Sequence, residues 1–250
     1  MKYAICLVLM LQGFTPVLFA QEKVEGEKTH KNTFRFNITN PFILSNKSLI
    51  FGYERILNNR RSFSVNFGQA SFPSLSLVSS DSLKANSTKK QKGFNFSVDY
   101  RFYLSAENKY NAPRGVYIGP YYSFNYNERR NTWSLKSSSG GVPQNIESKT
   151  SFTIHTVGFQ LGYQFVLWNR VSLDMILLGP GISGYNLKAS LGANLSEEDR
   201  LKFFERLNEA LAEKFPAYNL VIDEGEFQRK GSANTTSIGF RYMIMVGYRF

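Results

Sequence analysis

The sequence predicts an all-β chain: an eight-stranded antiparallel transmembrane β-barrel with an amphipathic helix in its last extracellular loop. Three observations lead there. Aromatic and aliphatic residues recur at every second position through most of the chain. These runs number eight, an even count that suits a closed barrel. The links between them alternate short and long, which puts tight turns at one end and long polar connections at the other. The chain has 250 residues with 22 Phe and 14 Tyr, too aromatic for a disordered segment. Its 19 Gly and 8 Pro suit strands joined by turns.

A helical membrane bundle is excluded, because the one long apolar run lies at residues 3–20. Met1-Lys2 gives a positive start, YAICLVLMLQGFTPVLF an apolar core, and Ala20 a small residue before the polar QEKVEGEKTHKN. That is the pattern of a secretory signal peptide over residues 1–20. As a membrane anchor the run is interrupted by Gln12, Gly13, Thr15 and Pro16. Cys6, the only cysteine, would leave with it, so the mature chain has no disulfide framework or thiolate metal site. Residues 21–32 read as a flexible periplasmic lead and 33–250 as the barrel domain.

The strands follow in order. Phe34, Phe36 and Ile38 mark the first; Leu49, Phe51 and Tyr53 the second; Phe63, Val65 and Phe67 the third. Phe94, Phe96, Val98, Tyr100 and Phe102 mark the fourth, and Val116, Ile118, Tyr122, Phe124 and Tyr126 the fifth. His155, Val157, Phe159, Leu161, Tyr163 and Phe165 mark the sixth; Val171, Leu173, Met175 and Leu177 the seventh. In the eighth, Ile238, Phe240, Tyr242, Ile244, Val246, Tyr248 and Phe250 alternate with a mixed set that includes Arg241 and Arg249. Residues 58–61, 104–114 and 168–170 read as turns on one side. Residues 73–92, 128–149 and 184–233 read as long links on the other, beside the shorter 40–47. The competing fold is a soluble lipocalin-type barrel with its aromatic face turned inward around a ligand. Alternation alone does not say which face points in.

At Tyr248-Arg249-Phe250 the chain resembles the small outer-membrane β-barrel proteins of Gram-negative bacteria, the eight-stranded outer membrane protein β-barrel domain family. The resemblance lies in an exported chain that ends in an alternating aromatic strand with a terminal Phe. It implies an outer-membrane location and a last strand read by the barrel-assembly machinery, with Tyr242, Ile244, Val246, Tyr248 and Phe250 as its outward elements. The family includes structural proteins, adhesins, secretion accessories and a few lipid-modifying enzymes, so membership does not fix an activity.

Chemistry is sparse. His30 lies in the polar lead and reads as solvated. Some lipid A deacylases with this fold carry a His-x-Ser pair, but the residue two after His155 is Val157, so His155 reads as an interfacial side chain. Gly179-Pro180-Gly181-Ile182-Ser183-Gly184 matches a dinucleotide fingerprint but lacks the helix that must follow, and reads as a bend leaving the seventh strand. Glu54, Asp99, Arg101 and Asp174 read as a paired network inside a small filled barrel rather than a catalytic cluster. No group has metal-ligand spacing, and neither metal nor cofactor is implied.

Ser196 can cap a helix that opens on Glu197, Glu198 and Asp199. Leu201, Phe204, Leu207, Leu211 and Phe215 then recur at three- and four-residue spacing up to Pro216, an apolar stripe suited to a lid or to a partner. The formal charge is +11, and nine of the 19 acids lie between Glu197 and Glu226, so the rest is more basic still. Lys84, Lys89, Lys90 and Lys92, with Arg129 and Arg130, crowd the outer side, where lipopolysaccharide phosphates would meet them. Nucleic acid is a poor partner for an exported barrel. The expectation is a non-enzymatic outer-membrane protein. Lys89, Lys90, Lys92, Arg129 and Arg130 would bind lipopolysaccharide phosphate; Leu201, Phe204, Leu207 and Leu211, in the loop at 184–233, would meet a protein partner. The alternatives are an outer-leaflet lipid-modifying enzyme and a narrow channel or ligand carrier.

Overall fold

The computed structural model describes residues 30–43, 47–71, 83–135, 144–191, 201, 205 and 232–250. The signal-peptide expectation therefore lies outside the described residues. The strands are β1 (Asn32–Asn37), β2 (Leu49–Asn58), β3 (Arg61–Gln69), β4 (Leu83–Tyr103), β5 (Gly115–Leu135), β6 (Gln144–Leu167), β7 (Val171–Leu191) and β8 (Ser232–Arg249). A short helix, α1 (Thr39–Ile43), follows β1. Each strand pairs antiparallel with the next, and β1 pairs with β8, which closes the barrel. The closing seam is tied at its end by Asn32 N–H to Phe250 O at 3.1 Å and Phe250 N–H to Asn32 O at 2.9 Å.

The two faces are unambiguous. The apolar set of each alternation points outward: Phe159 is 68% exposed, Phe240 69% and Ile238 70%. The polar set points in and is buried, including Arg35, Glu54, Asp99, Arg101, Gln164 and Asp174. A lipocalin-type interior would reverse this, and it is overturned. No helix among the described residues is long and apolar enough to cross a membrane, which has no bearing on strands.

Three features depart from the sequence reading. The long links shrink, because β4 begins at Leu83, β5 runs to Leu135, β6 starts at Gln144 and β7 runs to Leu191. Much of what read as loop is strand, carrying the β4–β8 side of the wall well past β1–β3. Second, Gly179-Pro180-Gly181 is not a bend out of β7: the strand continues through it, with a register shift between Ile176 and Gly179. There Leu177 and Leu178 are both exposed and the alternation changes phase. Third, α1 occupies part of the expected 40–47 link, with the Asn37 carboxamide oxygen accepting Asn40 N–H at 3.1 Å.

Candidate functional site

The barrel interior is filled at one level by side chains from every strand. Arg35 comes from β1, Glu54 from β2, Ser62 and Ser64 from β3, Asp99, Arg101 and Tyr103 from β4. Tyr117 comes from β5, Gln164 from β6, Asp174 from β7 and Met245 from β8. Strand alternation puts them there: each is the inward partner of an outward apolar neighbour.

The charges form one connected network. Arg35 Nη1 lies 2.7 Å from Asp174 Oδ2 and 3.8 Å from Glu54. Arg101 reaches Asp99 at 2.6 Å, Asp174 at 2.9 Å and Glu54 at 3.4 Å. Arg241 adds Asp99 at 3.8 Å. Arg35, Arg101 and Arg241 thus face Glu54, Asp99 and Asp174, and the signs balance. Neutral groups satisfy further lone pairs of Glu54 and Asp174, while Asp99 Oδ2 makes no hydrogen bond. Ser62 Oγ donates to Glu54 at 2.7 Å, Gln164 Nε2 to Glu54 at 2.9 Å, and the Tyr117 hydroxyl to Asp174 at 2.6 Å. The Arg101 guanidinium also lies over the Tyr117 ring, 4.4 Å from its centroid. Glu54, Asp99, Arg101 and Asp174 are the four grouped from sequence; Arg35 and Arg241 were missed. Arg35 alternates with Phe34 and Phe36, so its inward position was available from period two.

Towards the long-strand end the lumen opens into a cavity of about 270 Å³. Its wall is mixed: Asn95, Ser97, Ser123, Thr156 and Arg241 line it together with Ile50, Tyr121 and Met243. Arg241 is anchored by Gln160 Oε1 and Ser97 Oγ, each at 3.3 Å, and sits 5.0 Å from the Tyr121 ring centroid.

On the outer surface His155 is exposed, and its Nδ1 lies 2.9 Å from the Tyr122 hydroxyl. Its ring packs near Phe124, at 5.0 Å between centroids, in an aromatic band with Phe94 and Phe96 on β4. Among the described residues no group of three or more His, Cys, Asp or Glu is arranged to hold a metal ion.

The basic residues singled out from sequence separate. Lys90, Lys92 and Arg130 are exposed on the outer face, whereas Arg129 is 5% exposed and turned into the lumen. Arg129 is therefore corrected: consecutive residues of a strand take opposite faces, and it cannot share an outer phosphate site with Arg130. Lys89 falls in β4 beside a register shift between Thr88 and Lys90, and its side chain lies outside the described residues. Tyr242, Ile244, Val246, Tyr248 and Phe250 share the outer face at the end of the chain. Leu201 and Glu205 are helical and exposed, while Phe204, Leu207 and Leu211 lie outside the described residues.

No family model matches the chain, and no curated protein matches its sequence. Among solved structures, a major outer membrane protein from Thermus thermophilus is similar at 11% identity, covering 88% of this chain and 100% of that one. The TM-score is 0.34, a likeness too slight to argue from.

Proposed function

We propose that this chain is a non-enzymatic outer-membrane β-barrel protein, closed to solute flow, whose surface-facing end contacts lipopolysaccharide or a protein partner. One observation carries the reading: an apolar face turned outward around a charged, fully buried interior. In water that arrangement would expose a continuous aromatic and aliphatic belt while burying ion pairs at a desolvation cost. In a bilayer the belt is the solvent-matched surface. Residues 157–167 of β6 alternate outward apolar side chains over about 25 Å of membrane normal, at a rise of about 3.4 Å per residue and a tilt of about 40°.

The interior network supports a barrel without a pore, because side chains from all eight strands meet at one level. Its acids are held by arginines and by Ser62, Gln164 and Tyr117, the arrangement of a structural network. His155 bonds to Tyr122 and faces outward at the belt edge, which suits headgroup depth rather than acid–base chemistry. The wall of β4–β8 rises past the belt and would stand in the outer headgroup layer and beyond.

The test is threefold. The expressed chain should sediment with outer membranes and run faster unboiled than boiled. Liposomes containing it should not swell in small sugars. Lipid A from cells with and without the protein should have identical masses. A soluble chain without a mobility shift would overturn the location, swelling would restore the channel, and altered lipid A masses would restore the enzyme.

A further inference from the structure

Above the belt, the outer face of β4–β7 carries two rows of residues in direct cross-strand register. The first runs Lys92, Glu128, Ser151, Lys188; the second runs Lys90, Arg130, Lys149, Ser190. Lys90, Lys92, Arg130, Lys149 and Lys188 are all exposed on that face. Lys90, Arg130 and Lys149 are neighbours with no acid between them in their row, although like charges directly opposite repel. Glu128 from the row below reaches Arg130 at 3.5 Å and Lys149 at 3.2 Å. The Tyr126 hydroxyl, donating at 2.7 Å, together with Lys149 and Arg130, holds the Glu128 carboxyl below its ordinary range, so it is ionised at neutral pH. Glu128, with Glu147 one pair higher, offsets only part of the positive charge. A concavity of about 350 Å³ lies here, lined by Lys90, Arg130, Lys149 and Ser190, with Glu147 as the one acid in its wall.

Depth identifies what belongs there. The row just below is Phe94 and Tyr126, where the belt ends on β4 and β5. One outward residue to the next is about 7 Å along the strand, or about 5 Å along the normal at a tilt of about 40°. On β4 and β5 the two rows therefore stand about 5 and 10 Å above the hydrocarbon edge, the layer that holds lipid phosphates. On the tilted wall Ser151 and Lys149 of β6 stand higher, about 10 and 16 Å above His155 at the belt edge. Arg130 can fork onto a phosphate, and the lysines add mobile point charges around it.

We infer that Lys90, Lys92, Arg130, Lys149 and Lys188 form a binding site for the phosphate groups of an outer-leaflet glycolipid, with Glu128 holding Arg130 and Lys149 in place. The site rests on the outer-membrane reading and specifies its lipid contact. It differs from the sequence expectation by losing Arg129, by leaving out Lys89, whose side chain lies outside the described residues, and by gaining Lys149 and Lys188, which fall in the links expected at 128–149 and 184–233.

The test uses the full mature chain in mild detergent, with native mass spectrometry counting retained lipid A. The wild type should retain bisphosphorylated lipid A and lose dephosphorylated lipid A of the same acyl composition. The triple variant Lys90→Ser, Arg130→Ser, Lys149→Ser should retain at least tenfold less, while a control with Arg55→Ser and Arg61→Ser, near the other end of the barrel, should match the wild type. Mobility of unboiled samples reports the barrel separately. A shifted, folded triple variant that keeps its lipid, or equal retention of dephosphorylated lipid A, would overturn the site. Displacement of the lipid by millimolar inorganic phosphate would overturn the assignment to a lipid. Loss of the mobility shift in the wild type would instead sink the barrel reading itself.

Discussion

Asp174 on β7 and Arg35 on β1 meet across the lumen at 2.7 Å, although 139 residues separate them in sequence. The same Asp174 Oδ2 also takes Arg101 at 2.9 Å. One carboxylate oxygen thus anchors two fully buried guanidinium groups. Glu54 lies farther from both, at 3.8 and 3.4 Å, and cannot replace it. Asp174→Asn leaves the shape and removes the charge. Breaking a buried ion pair on one side costs about 3–5 kcal/mol. The expected outcome is an unfolding free energy lowered by that amount, from urea titration in detergent micelles read by loss of the unboiled gel shift, with a correspondingly lower midpoint. An unchanged midpoint would mean that the network does not hold the barrel closed.

Phe159 separates a membrane wall from a soluble one. It is 68% exposed in mid-strand on β6, with Gln160 next to it buried in the lumen. In a bilayer, arginine at the centre of the outer face costs about 2–4 kcal/mol. In water the same substitution would remove exposed apolar surface at almost no cost. Phe159→Arg is expected to lower folding stability in phospholipid vesicles by that amount and to slow assembly. A neutral or more soluble variant would contradict the membrane reading.

What could be read from sequence follows from one periodicity. Strand number, order and the apolar face of each strand came from runs such as Phe94 to Phe102 and Ile238 to Phe250, because lipid-facing positions must be apolar at every second residue, but alternation alone did not say that this face points outward. The phase change at Leu177 and Leu178 was hidden, since two adjacent leucines fit either register and Gly179-Pro180 looks like a break. The pairing of Arg35 with Asp174 depends on which side the barrel closes, a fact no local pattern carries. Lys149 and Lys188 were lost for a simpler reason: above the belt neither face must be apolar, so strand and loop have the same composition.

Asn169 tests the short-turn end. The β6–β7 hairpin turns through Trp168 and Asn169 with φ of 45° and 61°, closed by Arg170 N–H to Leu167 O at 3.2 Å. Positive φ at both central positions is the requirement of a type I′ turn. Asn tolerates that region and Gly is unhindered in it, whereas Ala suffers the clash of Cβ with the carbonyl, about 1–2 kcal/mol. Asn169→Ala is expected to lower the unfolding free energy from urea titration by about 1 kcal/mol, and Asn169→Gly to leave it within about 0.5 kcal/mol. Equal effects of the two would mean that the side chain, not the backbone angle, is what the turn uses.

Gly162 tests how tightly the network depends on its packing. It faces Tyr117 across the β5–β6 pair, and a Cβ built there would run into the Tyr117 ring and hydroxyl. That ring has nowhere to retreat without releasing Asp174, to which it donates at 2.6 Å, and uncovering Arg101. Overpacking of this kind costs about 1–3 kcal/mol. Gly162→Ala should therefore destabilise the barrel by that amount. In a Tyr117→Ala background the obstacle is gone, so the second substitution should add less than about 0.5 kcal/mol, whereas independent sites would add their costs in full. A full additive loss in the double variant would show that Gly162 is needed for the strand itself, by backbone approach to Met175 O, and not for the seat of Tyr117. The comparison thus distinguishes a network held by its charges alone from one whose charges are positioned by a ring that only glycine leaves room for.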